Sequence, residues 1–295
     1  MRILVIGGTG TVGRSVVAAL VARGQAPLVL TRTAEKISML AAGAVGVLGD
    51  LMNPPTLLAA MEGCEAVFMV NALSPSEAHE GLVAVACAAQ SGVGRFVYLS
   101  AFNLDRSMSI PHFGAKGAIE AALRVAAHER HLRFVVLRPN HFFQNDMYAK
   151  SPLVRGGIYP EPLGEAGVSR IDVRDIADAA ANALLANGTS DFDGHVFELS
   201  GSQILRASDV AACWAAGLSK PVRAGDSDLD KWQQQMARFL PPWQLFDLRR
   251  MYETYHRGEA IASSLSLQRQ ATLVGHAPRQ FDDYVRETAA LWRAG

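Results

Sequence analysis

The stretch RILVIGGTGTVG, residues 2–13, places a short apolar run directly before four glycines. The run Arg2–Ile6 is typical of a strand that is buried on both faces of a parallel sheet. A helical pattern follows over Val12–Arg23 and ends at Gly24, the residue type that most often follows the last turn of a helix. The stretch therefore predicts a strand, a tight glycine loop and a helix in immediate succession.

Short β-rich runs then alternate with longer alanine-rich segments. The further predicted strands are Ala26–Leu30, Val45–Leu48, Ala66–Val70, Arg95–Leu99 and Phe134–Leu137. The predicted helices between them are Ala34–Leu40, Pro54–Met61, Ser76–Gln90 and Phe113–Glu129. Strands and helices that alternate at this spacing indicate right-handed βαβ units. The predicted fold class is therefore α/β, a Rossmann-like doubly wound parallel sheet with helices on both faces.

The glycine loop is suited to holding phosphate groups. Gly8, Gly10 and Gly13 satisfy G-x-G-x-x-G, in which glycine permits a tight turn, a close approach to a pyrophosphate and close packing of helix on strand. The first turn of the following helix presents backbone N–H groups and the positive end of the helix dipole. The sequence therefore predicts a dinucleotide site whose phosphates contact Gly7, Thr9, Gly10, Thr11, Val12 and Gly13.

The end of the second predicted strand indicates which dinucleotide is bound. NAD enzymes commonly carry Asp or Glu at this place to hold the ribose 2′-hydroxyl, whereas this chain has Arg32. A guanidinium can form two parallel hydrogen bonds with a phosphate, and Lys36 adds a second positive charge four residues later. We therefore expect NADP(H) to be preferred over NAD(H).

Further candidate contacts follow the later strands, because ligands of parallel sheets bind outside the carboxyl ends of the strands. Asp50 and Leu51 follow the third strand, beside the expected adenine. Asp50 either accepts a hydrogen bond from the adenine amino group or caps the helix that begins at Pro54. Asn71 and Ala72 follow the fourth strand, beside the expected nicotinamide ribose.

The alternation of strands and helices stops after Pro139. Beyond it we predict loops and short helices at Phe142–Tyr148 and Pro152–Gly157, strands at Ser169–Val173 and Val196–Leu199, a helix at Asp175–Leu185, and mainly helix from Asp209. This divides the chain into a dinucleotide-binding core, residues 1–140, and a smaller, mainly helical substrate lobe, residues 141–295. A segment at about 168–200 returns to the core, so that the chain forms one compact unit.

Composition narrows the class of protein. The 295 residues carry 28 basic and 28 acidic side chains, so the net charge is zero and no nucleic-acid partner is expected. The three cysteines form no CxxC pair, and His128 and His131 have no suitably spaced companions, so no metal site is expected. No apolar run is long enough for a membrane span or a secretory signal. We predict a cytoplasmic monomer or homodimer without a membrane partner.

In the order and spacing of its motifs, the chain resembles the NmrA-like group of atypical short-chain dehydrogenase/reductases. The resemblance covers nearly the whole chain. It is carried by Gly7–Gly13, Thr31-Arg32, Gly49-Asp50-Leu51, Phe96–Ser100, His112–Gly117, Leu137–Asn140, Phe142-Phe143, Ile171–Ala177 and Gly275–Tyr284. It implies an NAD(P)-binding fold. The group includes NADPH-dependent quinone reductases, triphenylmethane-dye reductases and aromatic ether or isoflavone reductases, together with regulators that sense dinucleotides.

The resemblance also implies site residues. The wider superfamily uses a serine followed by Tyr-x-x-x-Lys, in which the tyrosine transfers the proton and the lysine holds the nicotinamide ribose. Ser100 and Lys116 stand where the serine and the lysine belong, and both are candidate cofactor contacts. His112, and not tyrosine, lies four residues before Lys116, so a mechanism that depends on tyrosine is not expected.

Three interpretations of His112 and Lys116, our candidate catalytic residues, stand open. In the first, Lys116 positions the ribose and His112 donates the proton, since histidine titrates near neutral pH. In the second, Lys116 anchors the cofactor and acts alone as acid and base, while His112 only caps the helix or lines the pocket. In the third, both residues serve binding alone, and the protein is a sensor.

The residues after the sixth strand are expected to flank the nicotinamide. The candidate contacts are Pro139, Asn140 and Phe142. Phe142 and Phe143 cover the ring, line the substrate pocket or simply pack in the core. A later aromatic-rich stretch forms either a lid over an apolar substrate or a helix-packing core: Trp232, Met236, Phe239, Trp243, Phe246 and Tyr252.

The absence of the tyrosine counts less against quinone reduction than against alcohol dehydrogenase or sugar epimerase chemistry, because solvent can protonate a reduced quinone oxygen. The favoured function is an NADPH-dependent reductase that transfers hydride to a quinone or another apolar conjugated acceptor. Its expected partner is a small apolar or aromatic substrate. Two alternatives remain: a non-enzymatic NADP(H) sensor, and a cofactor-retaining isomerase or epimerase that acts on a biosynthetic intermediate.

Overall fold

The computed structural model describes residues 1–294, and side chains for residues 1–293. Gly295, the last residue of the predicted substrate lobe, lies outside the described residues. The chain divides into two compact units. The first unit comprises Met1–Pro139, Val173–Leu199 and Gln268–His276, and the second comprises Asn140–Asp172, Ser200–Leu267 and Ala277–Gly295. Among residues 1–294, none of the helices has the length and apolar character that a membrane crossing requires.

The described residues form nine strands and eleven α-helices. The strands are β1 (Ile3–Ile6), β2 (Leu28–Thr31), β3 (Val45–Leu48), β4 (Ala66–Met69), β5 (Arg95–Leu99), β6 (Arg133–Pro139), β7 (Ile158–Tyr159), β8 (Val196–Leu199) and β9 (Arg223–Ala224). The helices are α1 (Thr11–Ala22), α2 (Pro54–Met61), α3 (Glu77–Gln90), α4 (Leu104–Ser107), α5 (Pro111–Arg130), α6 (Val173–Leu185), α7 (Ala207–Leu218), α8 (Leu229–Met236), α9 (Pro242–His256), α10 (Ser264–Val274) and α11 (Phe281–Ala294).

A seven-stranded sheet forms the centre of the first unit. Its strand order is β3-β2-β1-β4-β5-β6-β8, and every neighbouring pair is parallel. The order reverses between β1 and β4, which is the place where open α/β sheets bind their ligands. The predicted α/β, Rossmann-like doubly wound sheet is therefore confirmed.

Alternation along the strands buries both faces of this sheet. Side chains of a strand point to opposite faces in turn. Leu4, Val67 and Phe96 pack on one face with residues of α2, α3 and α5. Val5 and Phe68, one position further along their strands, are also fully buried, and the helices packed against β1 and β4 include α1 and α6. The continuous apolar runs of the sequence follow from this double burial.

Helices α3 and α5 approach each other closely at Gly81. A Cβ on this glycine would lie 2.1 Å from Ile119 Cδ1. The missing side chain therefore lets the two helices pack together. One turn earlier on α3 stands Glu77, and three residues earlier on α5 stands Lys116, so the same contact brings these two side chains together.

Most predicted boundaries differ from the structure by one or two residues, and the predicted helix at Ala34–Leu40 is a short 3₁₀ helix, Ala34–Met39. One prediction is wrong. Ser169–Val173 is not a strand: isolated bridges join Phe142 to Ile171 and Val168 to Leu205, and Val173 begins α6. All residues of this segment are buried, and within residues 1–294 only isolated bridges form beside it.

The second unit packs helices around a buried aromatic core. It contains the two-stranded parallel sheet of β7 and β9 and the 3₁₀ segment Phe143–Ala149. Trp214 of α7 is fully buried and stacks on Trp292 of α11, with ring centroids 4.6 Å apart. Large aromatic side chains thus contribute much of the core of a unit that has little sheet.

A buried ion pair joins several segments of the second unit. Arg170 and Asp146 are both fully buried, and Arg170 Nη2 lies 2.7 Å from Asp146 Oδ1. Asp146 also accepts hydrogen bonds from Trp214 Nε1 at 2.8 Å and from the Tyr159 hydroxyl at 3.3 Å. Arg170 Nη2 donates to the backbone oxygen of Phe142 at 2.8 Å. Because buried charges are stable only when they are paired and hydrogen-bonded, this network fixes the segment that follows β6.

Replacing Arg170 by Met is expected to lower the free energy of unfolding by about 3–5 kcal/mol, because the Asp146 carboxylate stays buried without its counter-charge. Urea denaturation followed by tryptophan fluorescence measures the change. The matched control is Arg257→Met, which breaks a pair with Glu259 in which the arginine is 55% exposed. The control should cost less than about 1 kcal/mol. Equal losses in the two variants would contradict the importance of the buried pair.

Candidate functional site

The glycine loop closes tightly between β1 and α1. Gly7 has a φ of +80°, and a Cβ on it would lie 2.4 Å from the carbonyl oxygen of Val70. A Cβ on Gly13 would lie 2.1 Å from the carbonyl oxygen of Gly7. Neither position accepts a side chain, so the two glycines allow α1 to begin directly against the loop. The tight glycine loop that the sequence predicts is present, and its contact with phosphates stays a prediction.

The first turn of α1 is open to an anion. Gly10 is the N-cap, and within residues 1–293 no side chain caps this end of the helix and no acidic residue stands in its first turn. Thr11 is exposed and Thr9 half-buried, whereas Val12 is buried. The first-turn N–H groups have no acceptor within the helix, and the positive end of the dipole adds to their attraction for phosphate.

Arg32 directly follows β2 and is exposed, as is Lys36 in the 3₁₀ segment. Thr31 Oγ1 and the backbone of Thr33 form a local hydrogen bond across Arg32. Because β1 and β2 are parallel neighbours, the end of β2 lies at the same sheet edge as the glycine loop. Both cations therefore stand on the side of the sheet where the phosphates are expected.

Asp50 organises the turn after β3. Its Oδ1 accepts a hydrogen bond from the Met52 N–H at 2.9 Å, and its own N–H donates to Thr56 Oγ1 at 3.1 Å. Asn53, and not Asp50, is the N-cap of α2. The carboxylate therefore orders the turn without capping the helix, and Leu51 beside it is half-buried. A contact of either residue with adenine stays a prediction.

Lys116 pairs with a buried carboxylate that the sequence did not reveal. Its Nζ lies 2.7 Å from Glu77 Oε1, and the two side chains are 12% and 2% exposed. The same Nζ lies 5.8 Å from the centroid of the Tyr98 ring. Lys116 is therefore not an exposed helix lysine, and its positive charge is balanced inside the protein.

Asn71 lies at the same place. Its Nδ2 donates to the backbone oxygen of Glu77 at 3.2 Å. Its Oδ1 is buried and has no hydrogen-bond partner within the part of the chain that the structure describes. Ala72, the next residue, is exposed. A buried acceptor without a protein partner, at the end of β4, fits the hydroxyl groups of a bound ribose.

The hydroxyl of Ser100 donates its hydrogen bond to another buried carboxylate, that of Glu120. Ser100 Oγ donates to Glu120 Oε1 at 2.6 Å. Arg138 donates to both oxygens of Glu120, at 2.9 and 2.8 Å. It also binds Asp105, and this hydrogen-bonded guanidinium holds the pKa of Asp105 below its usual value. A contact between Ser100 and a cofactor would therefore use the serine oxygen as an acceptor.

His112 lies one turn before Lys116 on α5, as predicted. It is half-buried, and its ring meets that of Phe113 edge to face, with centroids 4.5 Å apart. The structure thus places His112 and Lys116 on neighbouring turns of one helix. The role of His112 as a proton donor stays a prediction.

The predicted nicotinamide contacts after β6 are largely engaged by the protein itself. Pro139 ends β6, and its oxygen accepts from the Phe102 N–H at 3.1 Å. In the second unit, Asn140 Oδ1 accepts from the His141 N–H at 2.8 Å and Nδ2 donates to the Ala260 oxygen at 2.9 Å. Phe142 is half-buried. A contact of Asn140 with a cofactor is therefore left mainly to its backbone.

His141 is buried and held in one tautomer. Arg170 Nε donates to its Nδ1 at 3.1 Å, and its Nε2 lies 3.1 Å from the side-chain amide of Asn145. A guanidinium has no acceptor atom, so Nδ1 carries the lone pair and the proton of the neutral ring sits on Nε2. Burial, and then the charge of Arg170, hold the pKa of His141 well below its usual value. His141 is therefore buried as a neutral ring whose Nδ1 accepts from Arg170.

The aromatic-rich stretch divides into a core part and a surface part. The core part packs within the second unit and consists of Trp232, Met236 and Tyr252. The other part lies at the surface and consists of Phe239, Trp243 and Phe246, which are 77%, 40% and 57% exposed. The core part fits the interpretation as a helix-packing core. A lid over a ligand stays a prediction that concerns only the three exposed residues.

One group with metal-ligand chemistry appears in the first unit, made of Asp175, Asp178 and His276. Asp178 already pairs with Arg23 at 3.0 Å and with His276 at 3.1 Å. The group is thereby explained as an ion-pair cluster at the surface of α6. The expected absence of a metal site stays a prediction.

The chain belongs to the NmrA-like family, whose model matches residues 1–285. An NAD(P)H azoreductase from Xenophilus azovorans is 31% identical over 295 residues, which are 99% of each chain. Among solved structures, an NADPH-dependent quinone oxidoreductase from Escherichia coli in complex with NADPH is similar, with a TM-score of 0.83 and 20% identity over 97% of this chain and 99% of that one. Triphenylmethane reductase of Citrobacter sp. complexed with NADP(H) has a TM-score of 0.82 and 20% identity, again over 97% and 99% of the two chains.

The family that the motifs indicate is thus confirmed. The chain is an NAD(P)H-dependent oxidoreductase, a reductase that lacks the tyrosine of the wider superfamily. The likeness to the solved structures supports the fold, whereas the family match and the azoreductase relative support the class.

Replacing Gly13 by Ala is expected to weaken NADPH binding about tenfold or more, because the new Cβ collides with the Gly7 carbonyl and displaces the loop, at a cost of about 1–3 kcal/mol. Titration of NADPH fluorescence measures the dissociation constant. The control is Gly156→Ala, where a Cβ would meet nothing within 4 Å. A folded Gly13→Ala protein with unchanged affinity would remove the loop from the site.

His141 should make stability depend on pH. Its pKa lies well below 6.5 in the folded chain, so below that pH the unfolded chain binds a proton that the folded chain does not. The free energy of unfolding should therefore fall with decreasing pH by up to about 1.4 kcal/mol per pH unit from this residue. Urea denaturation between about pH 5 and 6.5 measures the slope. His141→Gln should flatten it, and equal slopes in the two proteins would contradict the burial of a neutral histidine.

Proposed function

We propose that the chain is an NADP(H)-preferring reductase that transfers hydride to a quinone or another apolar conjugated acceptor. The observation that carries the cofactor preference is Arg32, which stands exposed at the end of β2 where NAD enzymes place an acid. Lys36 adds a second exposed cation on the same segment. An uncompensated guanidinium at this position suits a 2′-phosphate, which it grips with two parallel hydrogen bonds.

The chain's own residues fit such a dinucleotide. The glycine cradle and the open end of α1 receive the pyrophosphate, and the unpartnered Asn71 Oδ1 accepts from a ribose hydroxyl. Lys116 has three N–H donors and forms an ion pair with the Glu77 carboxylate, and donors remain for hydroxyl groups of the ribose. When bound, the reduced cofactor supplies a hydride to the acceptor.

The nature of the acceptor is supported by the relatives. The similar proteins are named for azo compounds, quinones and triphenylmethane, which are conjugated aromatic or quinoid molecules. Reduction of such an acceptor does not require a tuned enzymic acid, because the reduced oxygen or nitrogen takes its proton from water. A site without the superfamily tyrosine is sufficient for this chemistry. The protein then contributes orientation and exclusion of water.

The test is acceptor-dependent oxidation of NADPH by the purified protein. A panel of benzoquinones, naphthoquinones, azo dyes and conjugated enones is offered with NADPH and, in parallel, with NADH, and the loss of reduced cofactor is followed by absorbance. We expect turnover with at least one quinoid or azo acceptor and a preference for NADPH. Tight NADPH binding without turnover on any acceptor would overturn the proposal in favour of a sensor or an isomerase.

Replacing Arg32 by Gln should lower kcat/KM for NADPH by about 10- to 100-fold, because a charge-assisted contact with the 2′-phosphate is lost. The value for NADH, which lacks this phosphate, should change by less than about twofold. Steady-state kinetics with both cofactors measure the two ratios. The control is Arg155→Gln, an exposed arginine of the second unit, which should leave both unchanged. Parallel losses for the two cofactors would contradict the assignment of Arg32.

A further inference from the structure

Four side chains of the first unit form a buried polar group, which we call the Glu77 cluster: Asn71, Glu77, Tyr98 and Lys116. Three of them carry buried polar atoms without a hydrogen-bond partner among residues 1–293. These atoms are Asn71 Oδ1, the hydroxyl of Tyr98 and the two carboxylate oxygens of Glu77. Glu77 Oε1 faces Lys116 Nζ at 2.7 Å as an ion pair without the geometry of a hydrogen bond. Proteins leave few such atoms in their interior, and those that remain call for an explanation.

The fold places Glu77 in the cluster for two reasons. It is the first residue of α3, where the positive end of the helix dipole favours a carboxylate. The close contact of α3 and α5 at Gly81 and Ile119 then presses its side chain against α5. The residue is 1% exposed, so water does not stabilise its charge. Lys116 Nζ, at 2.7 Å, is the cation that does so.

The pair changes what Lys116 can do. An unanchored lysine is a flexible point charge on a four-carbon chain, and its ammonium occupies many positions. Here Nζ is fixed between the Glu77 carboxylate and the face of the Tyr98 ring. Its charge is balanced by the carboxylate, so it is not an isolated cation that would promote ionisation of a neighbouring acid.

We propose that Glu77 is a positioning residue, which fixes the ammonium of Lys116 beside the end of β4 so that the lysine binds the cofactor ribose and takes no part in proton transfer. This inference rests on the proposed function of the chain as an NADP(H)-dependent reductase. It selects binding as the role of Lys116 from the interpretations that the sequence leaves open. It also explains why the Glu77 carboxylate is buried beside Lys116.

The central experiment replaces Glu77 by Gln, which keeps the size of the side chain and removes its charge. The dissociation constant for NADPH, measured by fluorescence titration, should rise about tenfold, because Lys116 loses its anchor. The kcat at saturating NADPH should stay within about twofold, because only binding is affected. The matched control is Glu80→Gln on the next turn of α3, whose carboxylate accepts from Ser76 outside the cluster. The control should leave both values within about twofold.

A second comparison separates positioning from a purely structural role. Lys116→Met leaves the Glu77 carboxylate buried without its partner and should lower the melting temperature. The double variant Glu77→Gln with Lys116→Met removes both charges and should recover most of that loss. NADPH affinity should nevertheless stay weak in the double variant, because the ammonium is absent. If the pair were only structural, affinity would recover together with stability.

Either of two results with the Glu77→Gln variant would overturn the inference. A folded Glu77→Gln protein with wild-type affinity for NADPH would show that Lys116 needs no anchor, and a loss of kcat at unchanged affinity would place the pair in the chemistry. Should Glu77→Gln fail to fold, Glu77→Asp, which keeps the charge but withdraws the carboxylate, should raise the dissociation constant in the same direction, and unchanged affinity there would equally overturn it. If the wild-type protein binds NADPH but reduces no acceptor, the proposed function fails, while the affinities still decide the role of Glu77.

Discussion

The carboxylate of Glu120 fixes the end of the sheet where the candidate site lies. It has no exposed surface, and both its oxygens are held by Arg138, with Ser100 as a further donor to one of them. Removing a partner from a buried carboxylate costs several kcal/mol, so α5 and the ends of β5 and β6 are tied in one arrangement. The position of Lys116, which stands on α5, depends on this tie.

A buried ion pair of this kind occurs twice more, once in each unit. Glu77 pairs with Lys116 in the first unit, and Asp146 pairs with Arg170 in the second. In each case a carboxylate with almost no exposure is bound to one cation. Such pairs contribute little net stability compared with apolar packing, but separating the two partners costs several kcal/mol because a charge is then left buried without its counter-charge. They are therefore suited to holding side chains and loops in place before a ligand arrives.

The candidate site of the first unit contains two kinds of cation. Arg32 is exposed and stands at a strand end, where its full charge is available to a ligand phosphate. Lys116 is largely buried, and its charge is balanced by a neighbour 2.7 Å away. The first is suited to selecting a cofactor by its charge, and the second to orienting neutral hydroxyl groups by hydrogen bonds. Under the proposed function, this division fits a site in which Lys116 is present and His112 stands in place of the superfamily tyrosine.

The sequence by itself determined the sheet, the glycine loop and the exposed Arg32, because each is encoded within a few consecutive residues by apolar periodicity, by glycine or by position after a strand. The bounds of β3, α2 and β5 agree residue for residue with the prediction for the same reason. Only the tertiary structure decided that Lys116 faces Glu77, that the Ser100 hydroxyl donates a hydrogen bond to Glu120, and that Ser169–Val173 is not a strand. These outcomes depend on which helices cross and which segments lie alongside, as at Gly81 and Ile119, and no local pattern specifies a partner that is distant in the chain.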